Sequence, residues 1–126
     1  MRAPRFNTIP LDDPRLEEGV RLFNAGQFFE SHEVWESLWH DVGGGERALL
    51  QGLIQLAAAY HHLQHHNRTG AAYLYGRSRP RLAKWGASWH GLELGELLQQ
   101  ADAEFASLDA RHSLKRSPML RFSSRR

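Results

Sequence analysis

One long apolar segment constrains the fold of this chain more than any other feature. Residues 46–65 are long enough to favour a helix over a strand. Their apolar side chains would surround such a helix on nearly every side: Leu49, Leu50, Leu53, Ile54, Leu56, Ala57, Ala58, Ala59, Tyr60 and Leu63. A helix that is apolar all round is typical of the centre of a bundle. We therefore predict that the core is built around this segment.

Four other segments are predicted to be helices packed around it. The first begins at Pro14 behind the capping carboxylate of Asp13 and is stopped by Gly26, which accepts the left-handed conformation at helix ends. The others span about 27–41, 69–86 and 92–110, with Pro80 as a kink or break. No segment shows the two-residue alternation of a strand. The predicted fold is all-α, a compact bundle of about five helices in a single domain.

The composition fits one small domain and excludes several classes. The chain has 126 residues, 41% hydrophobic and 24% charged, which is enough apolar material for a core. It has no cysteine, which excludes disulfides, a zinc ribbon and a thiol nucleophile. No run approaches the roughly twenty apolar residues that cross a bilayer, and residues 1–10 do not resemble a secretory signal. The expected location is cytoplasmic, with no membrane partner.

The charge distribution divides the chain into three parts. Residues 111–126 carry six basic groups and no acid, so the rest of the chain is mildly acidic although the net charge is +2. We predict an extended N-terminal arm over residues 1–12, the helical bundle over 13–110 and a basic C-terminal tail over 111–126. Such a tail is either poorly ordered or docked on the domain.

The second predicted helix carries the polar residues best suited to chemistry. His32 and Glu36 are four residues apart and lie on one helical face, with Glu33 one position round; we call these three residues the acidic cluster. Phe29 shares the side of His32, which places the acids beside aromatic rings. Such a cluster could bind a divalent metal ion, with His32 and Glu36 as ligands, or share a proton.

The central helix offers a matching polar row. Gln51, Gln55 and His62 line one face of a helix that is otherwise apolar. Buried polar groups need partners, because an unpaired amide or imidazole costs about 1–3 kcal/mol. We therefore expect this row to meet the acidic cluster between the two helices. Two interpretations fit: a structural hydrogen-bond network that fixes helix register, or a pocket for a metal ion or a small polar ligand.

Two further patterns bear on function. Residues 32–36 lack the second histidine of the H-E-x-x-H signature of zinc proteases, so that activity is not predicted. The segment 68–84 is basic and contains aromatic residues, which is compatible with weak nucleic-acid contact together with the tail, or with a solvated face that pairs with the acidic helix or a second subunit. Its basic residues are Arg68, Arg77, Arg79, Arg81 and Lys84.

Two sequence runs resemble a known family. FNAGQFFESHEVWE at residues 23–36 and QGLIQLA at residues 51–57 are followed by YHH at residues 60–62 and by Asn67 with Gly70-Ala71. This pattern resembles a family of small helical prokaryotic and plastid proteins catalogued as domain of unknown function number three hundred and nine. The resemblance covers about residues 16–85. It implies a compact multi-helical bundle and supplies no reaction.

The polar positions of that motif include the residues that helical spacing indicates in the acidic cluster and in the polar row of the central helix. They are Asn24, Glu30, His32, Glu33, Glu36, Gln51 and Gln55, and with His62 they form our candidate ligand-binding set. Three functions fit: a cytoplasmic domain that binds a metal ion or small polar ligand; an interaction protein, homodimeric, with Trp35, Trp39, Trp85 and Trp89 in core and interface; or weak nucleic-acid contact. No enzymatic reaction is assigned.

Overall fold

A computed structural model describes residues 3–106, 108 and 118–123 of the chain. The described part contains five helices: α1 (Pro14–Asn24), α2 (Phe28–Trp39), α3 (Glu46–Gln64), α4 (Arg68–Ala83) and α5 (Leu94–Ala106). Two short strands, β1 (Ser88–Trp89) and β2 (Leu92–Glu93), lie between α4 and α5. The prediction of an all-α bundle in a single domain is confirmed. The predicted end of the last helix at residue 110 lies outside the described residues.

Capping side chains set the starts of two helices. The Asp13 carboxylate accepts a hydrogen bond from the backbone N–H of Arg15 at 2.9 Å, and Pro14 occupies the first turn of α1. At α4, the Asn67 carboxamide oxygen accepts from the N–H of Gly70 at 3.0 Å. Both helices therefore begin where short polar residues satisfy backbone donors that the helix itself leaves unpaired.

One local prediction was wrong. The region predicted as a loop at 86–91, with a helix from residue 92, instead holds an antiparallel hairpin in which Trp89 pairs with Leu92. Each strand has two residues, too few for an alternating pattern. The turn between the strands has positive φ at His90 and Gly91, the geometry that suits hairpins. Of the kink or break predicted at Pro80, the break is absent, since α4 continues to Ala83.

The core is centred on α3, as the apolar segment predicts. α3 packs against α2 and α4, α1 packs against α2, and α5 packs against α4. Aromatic rings join these layers: Tyr60 of α3 stacks on Phe28 of α2 with ring centroids 5.1 Å apart and meets Phe105 of α5 edge-on at 5.2 Å. Trp35, Leu49 and Leu56 are fully buried in the same core.

The two ends of the described chain are tied to the bundle. In the N-terminal arm, Phe6 forms a parallel bridge with Val42, and the N–H of Ile9 donates to Glu46 at 2.8 Å. Residues 118–123 pack against α1, β2 and α5, with Leu120 fully buried. For this part of the tail the docked alternative applies. The rest of the predicted tail, residues 111–117 and 124–126, lies outside the described residues.

Among the described residues, no helix has the length and apolar character needed to span a membrane.

Candidate functional site

The acidic cluster lies on the accessible side of α2. His32 Nε2 is 4.0 Å from Glu36 Oε1, and their side chains are 27% and 46% exposed. Glu33 is also exposed, as is Glu30 in the first turn. The Phe29 ring lies 6.0 Å from the His32 ring, on the side that the spacing indicates. The cluster is therefore reachable from solvent rather than enclosed between helices.

The polar row of α3 is half-buried and its hydrogen bonds run toward α4. Gln55 Oε1 accepts from the guanidinium of Arg81 at 3.3 Å. His62 Nδ1 is 3.0 Å from Asn67 Nδ2, at the start of α4. Gln51 lies one turn before Gln55 on the same face. These contacts fix how α3 and α4 pack, whereas the sequence paired the row with α2.

The contact that links α2 to this side of α3 is aromatic. Phe29 lies 5.5 Å from the ring of His61, which in turn lies 4.3 Å from the ring of His65. Within the described ranges, no side-chain hydrogen bond or ion pair joins the acidic cluster to Gln51, Gln55 or His62. The structure therefore places the two predicted rows on neighbouring helices without joining them directly.

His61 has an environment that disfavours its charged form. Partial burial is the main cause that lowers its pKa below 6.5, and the neighbouring imidazoles of His65, His62 and His32 lower it further. The carboxylate of Glu30 acts in the opposite direction. His61 was not among the predicted site residues, although its four-residue spacing from His65 could have indicated the pair.

The structure brings only a few potential metal ligands together at the acidic cluster. In residues 3–106, 108 and 118–123, no group of three or more His, Asp or Glu side chains is arranged to hold a metal ion. His32 and Glu36 would supply two ligands, whereas transition-metal sites in proteins use three or four protein ligands. Metal binding at this pair stays a prediction.

The basic face of α4 is partly neutralised from within the chain. The Arg79 guanidinium makes two bonds of 2.8 Å to the Asp102 carboxylate of α5. These bonds, together with one from the Tyr75 hydroxyl, lower the pKa of Asp102 to about 2. Arg77 instead lies over the exposed ring of Tyr73 at 5.9 Å. Arg77 and Lys84, one heptad apart, thus share an accessible side of the helix.

Asn24, a predicted site residue, forms hydrogen bonds with the C-terminal segment. Its carboxamide accepts from the N–H of Leu120 at 2.7 Å and donates to the C=O of the same residue at 2.8 Å. The partner is 96 residues away, so spacing carries no signal for it. The Asn24 carboxamide thus bonds the C-terminal segment and not the acidic cluster of α2.

Comparison with known proteins connects these residues to a family. Residues 16–74 match the family model described as Domain of unknown function (DUF309). The predicted resemblance is confirmed. The DUF309 match runs from α1 into the first half of α4, so it includes the acidic cluster, the α3 row and Asn24. It leaves out Arg77, Lys84, α5 and the C-terminal segment.

A curated relative adds no activity. An uncharacterised protein of Aquifex aeolicus (strain VF5) is 28% identical over 83 residues. The alignment covers 65% of this chain and 25% of the relative, so the chain spans about a quarter of that protein's length.

Proposed function

We propose that this chain is an interaction module that pairs with a second copy of itself. The pairing surface, here called the α2–α4 face, comprises one accessible stripe from each of three helices. These stripes are Phe29, Glu33 and Glu36 of α2; Gln51, Gln55, Ala58 and His62 of α3; and Tyr73 and Arg77 of α4 with Lys84, the residue that caps α4. The observation that carries the proposal is that the two outer stripes bear opposite charges on either side of one polar strip.

The order of the stripes follows from contacts on α3. Gly52 of α3 accepts from the Ser78 hydroxyl of α4 at 2.7 Å, while His61 of α3 contacts Phe29 of α2. Gly52 and His61 are nine residues apart, and residues nine apart in a helix point in opposite directions. α2 and α4 therefore flank α3 on opposite sides. The half-buried stripe of α3 that contains Ala58 lies between α2 and α4. Arg81 of α4 reaches this stripe by its hydrogen bond to Gln55.

Each outer stripe also exposes an aromatic ring. Phe29 is 46% exposed and Tyr73 is 63% exposed, and within the described helices these are the exposed large apolar side chains. Aromatic residues are enriched in protein interfaces relative to the rest of the surface. An accessible ring on each side of the strip supports a protein partner for this face.

The charges favour a second copy arranged about a two-fold axis. If that axis runs parallel to α3, the acidic stripe of one chain faces the basic stripe of its partner, and the same contact occurs twice. Glu33 and Glu36 would then meet Arg77 and Lys84 of the other copy. Nucleic acid fits less well, because a phosphate backbone on the basic stripe would lie next to these carboxylates.

A charge-exchange experiment tests the proposal. One variant carries Glu33→Lys and Glu36→Lys, and a second carries Arg77→Glu and Lys84→Glu; each would place like charges together in its own dimer. Like-charge contacts across an interface cost several kcal/mol, so both variants are expected to sediment as monomers. When they are mixed, both contacts become attractive and a mixed dimer should form.

The matched control is a chain with Asp12→Lys and Glu17→Lys, which reverses two exposed acids outside the α2–α4 face. It should dimerise like the unaltered chain. Circular dichroism verifies that every variant keeps its helices. Failure of the two folded variants to form a mixed dimer would contradict the proposed pairing.

A further inference from the structure

Residues 118–123 lie in a surface groove. The groove bonds their backbone through amide side chains and a strand edge, and it holds some of their side chains by burial and by an ion pair. We propose that this groove is a receptor for a short extended peptide supplied by another chain, and that residues 118–123 show the chemistry it accepts. The groove, here called the peptide groove, is formed by Asn24, Gly91, β2, Glu96 and Gln100. It lies apart from the α2–α4 face, so the inference goes beyond the proposed pairing.

Two carboxamides hold the peptide backbone without regard to its side chains. Asn24 bonds both the N–H and the C=O of Leu120, at 2.7 and 2.8 Å. Gln100 bonds both the N–H and the C=O of Met119, each at 2.9 Å. An amide side chain presents an N–H group and a carbonyl oxygen side by side in one plane, so each pair of bonds matches an extended residue of any type.

The next residues pair with the free edge of the hairpin through an isolated bridge and flanking backbone bonds. The N–H of Glu93 donates to the C=O of Arg121 at 2.9 Å, and Leu92 forms an antiparallel bridge with Phe122. The N–H of Ser123 donates to the C=O of Gly91. Addition of a strand to a sheet edge is a common mode of peptide recognition, because the main chain supplies affinity for many sequences.

Three side-chain sites supply the selectivity. Pro118 is buried and Leu120 is fully buried. The guanidinium of Arg121 makes paired bonds of 2.8 and 2.7 Å to the carboxylate of Glu96. Met119 and Phe122 are 48% and 38% exposed, so their identity matters less. The groove therefore fits a peptide in which a leucine has a proline two residues before it and a basic residue directly after it.

One side-chain contact of the resident segment is exposed to water, whereas Leu120 is buried. The side chains of Arg121 and Glu96 are 52% and 40% exposed, and exposed ion pairs contribute about 1 kcal/mol or less. The resident segment competes with an incoming peptide, so the apparent Kd of that peptide equals its intrinsic Kd divided by the fraction of chains whose groove is vacant. Weakening the resident segment should therefore reveal binding of a separate peptide.

The test uses a fluorescent peptide with the sequence of residues 118–123 and blocked ends. It is titrated into the full chain and into a full chain carrying Arg121→Ala and Phe122→Ala, two exposed positions whose loss spares the buried Leu120. Fluorescence anisotropy should show saturable binding to the variant with an apparent Kd about tenfold or more below that of the unaltered chain.

Two controls decide whether the peptide occupies the groove. Adding Glu96→Gln to the variant should weaken binding by about twofold to fivefold, since Arg121 of the incoming peptide loses its exposed ion pair and the resident segment of the variant has no arginine to lose. A peptide that carries Leu120→Asp should not bind. The inference is overturned if the folded variant fails to bind the peptide, or if Glu96→Gln leaves the affinity unchanged.

Discussion

Gly19 of α1 lies directly against the indole ring of Trp35 of α2, with no space for a side chain. A Cβ atom at Gly19 would overlap the indole ring at Nε1, Cδ1 and Cε2. Trp35 is fully buried, and its Nε1–H donates to the C=O of Leu16 at 3.2 Å, which fixes the ring against α1. The Ser31 hydroxyl donates to the C=O of Gly19 at 2.8 Å. This hydrogen bond and the contact with the Trp35 ring both fix how α1 packs on α2.

We predict that Gly19→Ala destabilises the domain. In an open helix this change would stabilise by up to about 1 kcal/mol. Overpacking of a core costs about 1–3 kcal/mol, and here the ring that must shift is fully buried and hydrogen-bonded to Leu16. The free energy of unfolding, measured by urea denaturation, should therefore fall. Gly76→Ala is the matched control, because a Cβ there meets no atom within 4 Å, and it should raise stability.

The second prediction concerns His61 and pH. Its pKa in the folded chain lies below 6.5, mainly because of burial, so folding favours the neutral imidazole. The unfolded chain binds the proton more readily, and the stability that His61 contributes is present above pH 6.5 and is lost as the pH falls through the folded pKa. His61→Gln should therefore lose less stability than the unaltered chain between about pH 7 and pH 5.

Urea unfolding at both pH values measures this difference. His40→Gln, which removes an exposed imidazole just after α2, is the control and should leave most of the pH dependence in place. An unchanged pH dependence in His61→Gln would show that the burial of this ring has no energetic consequence.

The third prediction concerns the pairing of α4 with α5. The bonds from Arg79 lower the pKa of Asp102 to about 2, so the carboxylate contributes stability above its ordinary pKa of 3.8 that is lost as the pH falls toward 2. Because the two side chains are 44% and 43% exposed, the contribution at neutral pH is about 1 kcal/mol or less. Asp102→Asn should flatten the acid limb of the stability curve, measured by thermal unfolding between about pH 4 and pH 2.

Asp12→Asn provides a comparison, since Asp12 is an exposed acid in the arm. If both variants show the same acid limb as the unaltered chain, the Arg79–Asp102 pair does not couple folding to protonation.

The helical framework could be predicted because its signals are local. The Asp13 cap acts within one turn and the apolar segment of α3 is a single continuous stretch, and both lie where the sequence predicts. The hairpin could not be predicted in this way. Its strands are too short for periodicity, and its turn depends on positive φ at His90, a conformation uncommon outside glycine.

Partners across helices were harder to predict than the helices themselves. The sequence correctly indicates that one face of α3 is polar. The partner of Gln55, however, depends on how closely α4 approaches α3. That approach is made possible by Gly52, where a Cβ would lie 2.9 Å from Leu82 Cδ2. Arg81, one residue before Leu82, consequently reaches Gln55. The pairing of Asn24 with Leu120 spans 96 residues and left no trace in local spacing.

The proposed pairing through the α2–α4 face can be tested most directly by sedimentation equilibrium of the unaltered chain at two salt concentrations. The account predicts the mass of two chains at about 50 mM salt and a shift toward the mass of one chain at about 1 M, because screening weakens contacts between exposed charges. A single chain at every concentration and at both salt levels would contradict it.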